Sequence, residues 1–251
     1  MAARPTTKPS PAFVIETEDD NPTPSLTSVA TAAIRKDILL ARLKPGKRLG
    51  VVALKAQYNC GGASIREALS RLISEGLVVA TDHKGFRVSH VSRSDLIDLT
   101  ITRGEIDGLA LSKSIENGDV AWEGRIVSAF HQLSKLQPHA MNIIDAEKLH
   151  WDEVHNSFHF ALVSACGSPR LLSLRNTLLD HAERYRNLSG LIAGVNKRDT
   201  MKEHKDLMDA ALARNAEAAS RLIAEHYWRT CQLLLEAIDS PGSKERSFFG
   251  Q

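Results

Sequence analysis

The sequence predicts a mainly α-helical protein, in which a small N-terminal module of three helices and a two-stranded β-hairpin precedes an all-helical bundle. Composition is the first indication, because the 251 residues are 43% apolar but only 5% aromatic, as is typical of helical proteins. The second is the helical spacing of apolar residues through most of the chain. The third is a pair of short β-like runs, 77–80 and 85–88, near the end of the first third.

Four segments define the expected domain organisation. Residues 1–24 contain five prolines among Thr and Ser, without the continuous apolar run of a signal peptide, and predict a disordered arm. The N-terminal module occupies residues 25–91 and the helical bundle residues 92–238. Residues 239–251, which begin just before Pro241, predict a flexible tail.

Two features bear on cellular location. No segment approaches the roughly 20 apolar residues of a transmembrane helix, so no contact with a membrane is expected. The cysteines Cys60, Cys166 and Cys231 are widely spaced and predict no disulfide framework. A reducing cytoplasm is therefore the expected compartment.

The N-terminal module has the pattern of a winged helix-turn-helix. Its helices are predicted at 26–43, 52–58 and 63–76. Thr27 or Ser28 is the expected cap of the first helix, and a glycine-containing turn at 59–62 joins the second helix to the third. Two helices joined in this way predict a helix-turn-helix, and the hairpin that follows predicts a two-stranded wing.

Positive charge is concentrated in this module. Residues 25–91 hold 11 Lys and Arg against 4 Asp and Glu, whereas residues 92–251 carry a net charge of −3. The asymmetry predicts contact with a polyanion, which for a helix-turn-helix is double-stranded operator DNA. A solvated basic face without a partner is the alternative.

Residues on the third helix and the hairpin are the candidates for DNA contact. They are Ser64, Arg66, Ser70, Arg71, Lys84 and Gly85. Arg66 is expected to reach a guanine edge or a phosphate, and Lys84 with the Gly85 backbone to approach the DNA backbone or minor groove. An ion pair within its own helix is the alternative for Arg66.

The second part of the chain predicts helices alone. Ser92 and Asp95 have the spacing of a capping box at its start. Glycine- and proline-containing breaks then separate the periodic segments. The six predicted helices are about 94–116, 119–135, 144–166, 169–190, 198–214 and 216–238.

Four histidines in this part predict a metal site. His155 and His159 are four residues apart, so on a helix they share one face. His204 and His226 lie on amphipathic stretches nearer the C-terminus. Imidazole is a ligand that suits zinc, nickel, copper and iron. The alternative is that some of these are ordinary surface or core histidines.

Several runs in the N-terminal module carry a family resemblance. They are Leu54-Lys55-Ala56-Gln57-Tyr58, Ser64-Ile65-Arg66-Glu67-Ala68-Leu69-Ser70-Arg71-Leu72, Glu75-Gly76-Leu77-Val78 and Gly85-Phe86-Arg87-Val88. The module resembles the winged helix of GntR-type bacterial transcriptional regulators. It departs from the family pattern just before Ile65-Arg66-Glu67, where the family usually has Ser or Thr, Arg and then Pro and this chain has Gly61, Gly62, Ala63 and Ser64. It also departs at Val52, where an arginine is usual. After these departures, only Arg66 carries over from the family as a base-reading residue.

The bundle carries a second resemblance. Its motifs are Arg103 to Asp107, Phe158-His159-Phe160-Ala161-Leu162, Glu203-His204 and Glu225-His226. These resemble the FCD domain of the FadR branch of the same superfamily. Shorter runs, such as Arg184-Tyr185-Arg186, look similar to regulators of the carbon-starvation-induced type, which implies a short dicarboxylate or hydroxy acid as effector.

The resemblance implies a ligand set. His159, His204 and His226 would hold a divalent ion, expected to be zinc with nickel as the alternative, and His155 would be the fourth ligand. Because the histidine ligands are neutral, the site keeps the positive charge of the ion, and this charge favours an anionic partner. Arg103 would then bind a carboxylate through its planar fork. Pairing of Arg103 with Asp107, one turn along the helix, is the alternative.

The sequence as a whole predicts a transcriptional regulator and not an enzyme. The family resemblance implies a homodimer that binds a two-fold operator and is usually a repressor. It also implies that a small carboxylate metabolite releases the protein from the operator. One alternative is a metal-responsive regulator in which the ion itself is the signal. A metal-dependent hydrolase is a weaker alternative, because Glu203 and Glu225 are the nearest bases in sequence and neither is in a catalytic motif.

Overall fold

The computed structural model describes residues 24–81, 85–136, 146–188, 198–239 and 248–250. It confirms the predicted fold class, because these residues are mainly helical with a small sheet after the N-terminal helices. The predicted arm lies outside the described residues, apart from Pro24. Within the described part of the chain, no helix has both the length and the apolar character needed to cross a bilayer.

The N-terminal module has three helices, α1 (Leu26–Leu39), α2 (Val51–Tyr58) and α3 (Gly62–Ser74). The hydroxyl of Ser25, rather than Thr27 or Ser28, caps α1 by accepting the Ser28 N–H at 3.1 Å. Ile34 of α1 packs with Leu69 of α3 in a fully buried apolar core. Burial of one side of α3 in this core leaves its polar side exposed.

The wing has three strands rather than the two that were predicted. Strands β2 (Val78–Thr81) and β3 (Gly85–Val88) form the expected antiparallel hairpin, and β1 (Arg48–Leu49) pairs with the other edge of β3. A strand of two residues is too short to have an alternating pattern, so no sequence signal indicates it. Residues 82–84, which include Lys84, lie outside the described residues.

The bundle follows strand β4 (Val91–Ser92). Its helices are α4 (Arg93–Asn117), α5 (Val120–Ser134), α6 (Ala146–Val163), α7 (Pro169–Leu188), α8 (Thr200–Leu212) and α9 (Ala216–Asp239). Ser92 caps α4 by accepting the Asp95 N–H at 3.0 Å, so the capping prediction is confirmed. All six helices lie within a few residues of their predicted bounds, because each combines helical periodicity with a clear break.

Two glycines of α4 allow it to pack closely along α9. A Cβ added to Gly104 would lie 3.2 Å from the Cβ of Ala224, and one added to Gly108 would lie 3.4 Å from the Cβ of Ser220. The two helices are antiparallel, since Arg93 at the start of α4 binds Asp239 at the end of α9. This register fixes which side chains of α4 and α9 face each other along the bundle.

The end of the chain differs from the predicted flexible tail. Phe249–Gly250 form strand β5, which pairs in parallel with β4 between the two domains. The side chain of Phe249 is buried, and its ring centroid lies 5.8 Å from that of Tyr185. Strand β5 has only two residues and its partner strand lies more than 150 positions earlier, so the local sequence has no pattern that would predict it. Residues 240–247 and 251 of the predicted tail lie outside the described residues.

Helix α7 holds the N-terminal module against the bundle. His181 binds the backbone oxygen of Glu75 at 2.8 Å, Arg184 donates to the backbone oxygen of Ser89, and Asn187 donates to that of Leu39 at 2.8 Å. His181 and Arg184 thus lie at the domain contact, a position that local sequence cannot indicate because it carries no information about distant backbone acceptors.

The Asp180 carboxyl lies on the same face of α7. Its pKa rises from the ordinary 3.8 to about 6, because it is half-buried and close to Glu183 and Glu75, although Arg35 opposes the shift. The folded state therefore favours protonated Asp180. The stability that this preference contributes is present below about pH 4 and is lost as the pH rises through about 6.

We expect Asp180→Asn to stabilise the protein at about pH 8, because it removes a buried charge that is costly only when ionised. The gain should be about 1–2 kcal/mol, after allowance for screening by water, and should disappear near pH 4. Thermal unfolding at both pH values measures it. Asp98→Asn, at an exposed position on α4, is the matched control, and an equal gain at both pH values would contradict the explanation.

Candidate metal centre and DNA-reading helix

Three helices bring the four predicted histidines together. His155 and His159 lie on α6, His204 on α8 and His226 on α9. One ring nitrogen from each lies within 4.8 Å of the others, and the Nε2 atoms of His155 and His159 are 3.2 Å apart. All four side chains are buried. The cluster therefore has the ligand number, size and enclosure of a protein metal site.

The imidazoles of this cluster are neutral. Burial, reinforced by the mutual proximity of the rings, lowers the pKa of His155, His159 and His204 well below the ordinary value. Burial also lowers the pKa of His226, although Glu203 opposes that shift. Neutral imidazole is the form that binds metal.

The cluster contains buried nitrogens that the protein does not satisfy. Among the described residues, no hydrogen-bond partner is present for Nδ1 of His155, for Nδ1 of His159 or for either nitrogen of His204. An unsatisfied buried polar group costs about 1–3 kcal/mol. A divalent ion with borderline softness, such as zinc or nickel, fits this all-nitrogen donor set.

A carboxylate orients the fourth ring. Nδ1 of His226 donates to Glu203 at 2.9 Å, and Arg198 holds the same carboxylate through its Nε and Nη2 atoms at 2.8 and 2.5 Å. Burial alone would raise the pKa of Glu203, but the hydrogen bonds from Arg198 and His226 hold it well below the ordinary value. The ring is thereby fixed with Nε2 towards the cluster, as is usual for metal-binding histidines.

Sequence reasoning missed Arg198 and assigned no orienting role to Glu203. Glu203 was considered as a catalytic base, but its carboxylate is engaged by Arg198 and His226. Its place beside His204 in the sequence was a weak signal. Arg198 has no such signal, because it precedes α8 and its contact with α9 exists only after the helices pack.

A cavity of about 140 Å³ adjoins the histidines and is lined by residues of α4, α6, α7 and α9 and of the start of α8. Arg103 lines it, with its guanidinium carbon 4.1 Å from the ring centroid of Tyr227. The expected alternative, pairing of Arg103 with Asp107, is not the arrangement found. Asp107 accepts from the Tyr227 hydroxyl and lies 3.3 Å from Nε of buried Arg175.

Arg103 consequently has no carboxylate partner among the described residues. Burial lowers its pKa, although the nearby Tyr227 and Asp107 oppose the shift. A cation in this position binds an anion strongly, because little water competes and the partner repays the cost of burial. The cavity thus has a cationic wall beside the histidine cluster.

Helix α3 exposes most of the residues proposed to contact DNA. Arg66 and Ser70 are exposed and Ser64 is half-buried. Arg71 pairs with Glu67 at 2.6 Å, so the intrahelical ion pair considered for Arg66 is formed by Arg71 instead. No ion pair involves Arg66 within the described residues, which leaves its guanidinium available.

The turn before α3 adds a second cation that sequence reasoning missed. A Cβ added to Gly62 would lie 3.4 Å from Cδ of Lys55 and 3.9 Å from Nη1 of Arg66. Lys55 on α2 and Arg66 on α3 therefore flank the same turn, and both are exposed. In the wing, Gly85 is exposed with a φ of +79°, a conformation that suits glycine.

Comparison with known proteins is consistent with both domains. The profile described as "Bacterial regulatory proteins, gntR family" matches residues 26–88, and the profile described as "FCD domain" matches residues 98–229. The transcriptional regulator BphR of Paraburkholderia xenovorans is 37% identical over 206 residues, which cover 80% of this chain and 82% of that protein. The transcriptional repressor GlaR of Escherichia coli is 33% identical over 208 residues, 82% of this chain and 94% of the repressor.

Solved structures agree with the fold. E. coli McbR/YncC superposes with a TM-score of 0.69 at 22% identity and covers 85% of this chain and 99% of that one. Its likeness concerns architecture alone. The two profiles and the two relatives show that the chain belongs to the GntR family of bacterial regulatory proteins, with a C-terminal FCD domain, and is a DNA-binding transcriptional regulator rather than an enzyme.

Proposed function

We propose that the protein is a homodimeric repressor of the FadR branch whose affinity for a two-fold operator is controlled by a small carboxylate bound beside a divalent metal ion. The observation that carries the proposal is the buried cluster of four imidazoles next to a cavity lined by the unpaired Arg103. GlaR, a relative with 33% identity, is named as a repressor, which supports the direction of control.

The metal would be zinc, with nickel as the alternative, held by His155, His159, His204 and His226. When bound, the ion supplies a positive charge and a Lewis acid for a carboxylate oxygen. Arg103 binds the same headgroup from the opposite helix, α4, through its paired N–H groups. Together they select an anion over a neutral ligand of similar size.

Helix α7 connects this site to the DNA-reading head. One face carries Leu179 and Ala182 into the cavity, and another carries His181, Arg184 and Asn187 to the N-terminal module. A ligand that displaces α7 by a small amount must alter these backbone contacts. In a dimer, the spacing of the two α3 helices would change, and with it the fit to half-sites about one DNA turn apart.

A second candidate is a metal-responsive regulator. Four protein ligands can complete a tetrahedral zinc site without an open position, which favours an ion that is itself the signal. The two candidates differ in one measurable respect. In the second, removal of the metal alone changes operator affinity and carboxylates have no effect.

We expect Glu203→Gln to weaken zinc binding by about 10–100-fold, because the amide no longer fixes the orientation and proton position of His226. Competition with a chromophoric chelator measures the change. Glu225→Gln is the matched control, since Glu225 precedes His226 but pairs with exposed Arg221 and Arg229. Equal zinc affinity in Glu203→Gln and wild type would contradict the ligand role of His226.

We expect Arg66→Ala to weaken operator binding by about 10–100-fold, the usual consequence of losing a guanidinium contact to a base edge. Fluorescence anisotropy with an operator selected from a random duplex library measures the affinity. Arg125→Ala, an exposed arginine of α5, is the control. If Arg66→Ala bound as tightly as wild type while its melting temperature was unchanged, α3 would not be the reading helix.

We expect Arg103→Gln to abolish the rise in melting temperature that carboxylates give to the zinc-loaded protein. The amide keeps much of the volume but lacks the charge and the paired donors. Arg221→Gln, an exposed position on α9, should respond like wild type. If carboxylates still raised the melting temperature of Arg103→Gln, but no longer did so after a chelator removed the zinc, the metal would be the sole anchor of the carboxylate.

A further inference from the structure

The cavity beside the histidines changes character along its length. Arg103 of α4 and His226 of α9 lie at one level, as the contact of Arg103 with Tyr227 shows. Helices α4 and α9 are antiparallel. Towards the domain linker, residue numbers therefore decrease along α4 and increase along α9. The next levels are Thr100 with Cys231, and then Leu96 with Leu234. The end nearest the linker is therefore apolar.

This apolar end is part of a packed core. Leu96, Cys231 and Leu234 are 2%, 1% and 3% exposed, and they belong with Ala182 of α7 to one buried apolar cluster. The same cluster contains Val91 of β4, at the junction with the N-terminal module. A charged group placed here would lose its water without gaining a partner, which is strongly unfavourable.

Apart from the proposed metal ion, the side chains around the cavity provide one cation for an anionic headgroup. Four cations line it, and three of them already have carboxylate partners: Lys148 with Asp152, Arg186 with Glu183, and Arg198 with Glu203. Arg103 has none among the described residues. A second anionic group would therefore find no further cation of the described cavity lining without a carboxylate partner.

The volume limits the size of the ligand. An apolar protein cavity of about 150 Å³ is filled by a molecule such as benzene. The cavity here is about 140 Å³. A ligand with one carboxylate and about four to six further carbon atoms fills such a space, if its headgroup lies among the polar residues.

We infer that the effector is a monocarboxylate with a short apolar chain or ring, whose headgroup binds at Arg103 and whose apolar part lies against Leu96 and Leu234. The inference rests on the proposed anchoring of a carboxylate by the metal and Arg103. It differs from the dicarboxylate or hydroxy acid that the sequence resemblance implies. It also places the tail of the effector on the cluster that includes the linker residue Val91.

The test is calorimetric titration of the zinc-loaded, full-length protein with matched acids: acetate, pentanoate, hexanoate, benzoate, glutarate and adipate. Pentanoate and hexanoate should each bind at least about 10-fold more tightly than the diacid of the same length, and more tightly than acetate. Binding of the monoacids should also have a negative heat-capacity change, as burial of apolar surface requires.

The outcomes separate this inference from the proposed function. If glutarate or adipate binds as tightly as its monoacid, and Arg103→Gln abolishes that binding, the carboxylate site stands and the apolar-tail inference is wrong. If none of the six acids binds, the proposed function as a carboxylate-controlled regulator fails, and the inference fails with it.

A variant series locates the tail. Leu234→Ala enlarges the apolar end and should shift the preferred chain towards heptanoate and octanoate by about 10-fold relative to pentanoate. Leu109→Ala, an exposed leucine on another face of α4, is the matched control. Should Leu234→Ala fail to fold, Ala182→Val serves instead, since filling the same end should weaken hexanoate binding and leave acetate binding unchanged. Unaltered chain-length preference in a folded variant would overturn the inference.

Discussion

The close packing of α4 against α9 is the constraint on which the rest of the structure depends. Gly104 and Gly108 allow the backbones to approach, so that Ala224 and Ser220 meet α4 without intervening side chains. The resulting antiparallel register sets Arg103 beside Tyr227 and His226, and apolar residues beside each other nearer the linker. A bulkier residue at either glycine would separate the helices and disturb the histidine cluster and the cavity together.

Buried charges in the bundle form pairs of opposite sign, and this pairing determines where the site keeps a positive charge. Asp107 forms an ion pair with Arg175 and accepts a hydrogen bond from the Tyr227 hydroxyl, and Glu203 binds Arg198 and His226. Breaking such a pair by removing one partner is strongly destabilising, because the remaining charge stays buried. Among the described cations that line the cavity, Arg103 is the exception, because it forms no ion pair with a carboxylate, and its charge beside the imidazoles is what suits the cavity to an anion.

Helix α7 is shared by the cavity and the domain contact. Its side chains bind backbone oxygens in α1, in the segment after α3 and in the segment before β4. Backbone acceptors do not change with the sequence of the N-terminal module, so these three hydrogen bonds depend on the position of α7. A displacement of α7 within the bundle would therefore alter its contacts with the N-terminal module.

Sequence alone determined the elements that rest on local physics. Periodicity and breaks located the helices, the spacing of Ser92 and Asp95 located a cap, the glycine turn located the helix-turn-helix, and the interval between His155 and His159 placed both on one helix face. Tertiary structure alone decided the contacts between distant segments. These are the pairing of β1 with β3 and of β5 with β4, the choice of Arg175 as partner for Asp107, the role of Arg198, and the domain contacts of His181 and Arg184. Each joins residues far apart in the chain, and a local pattern carries no information about which distant group will meet it once the helices have packed.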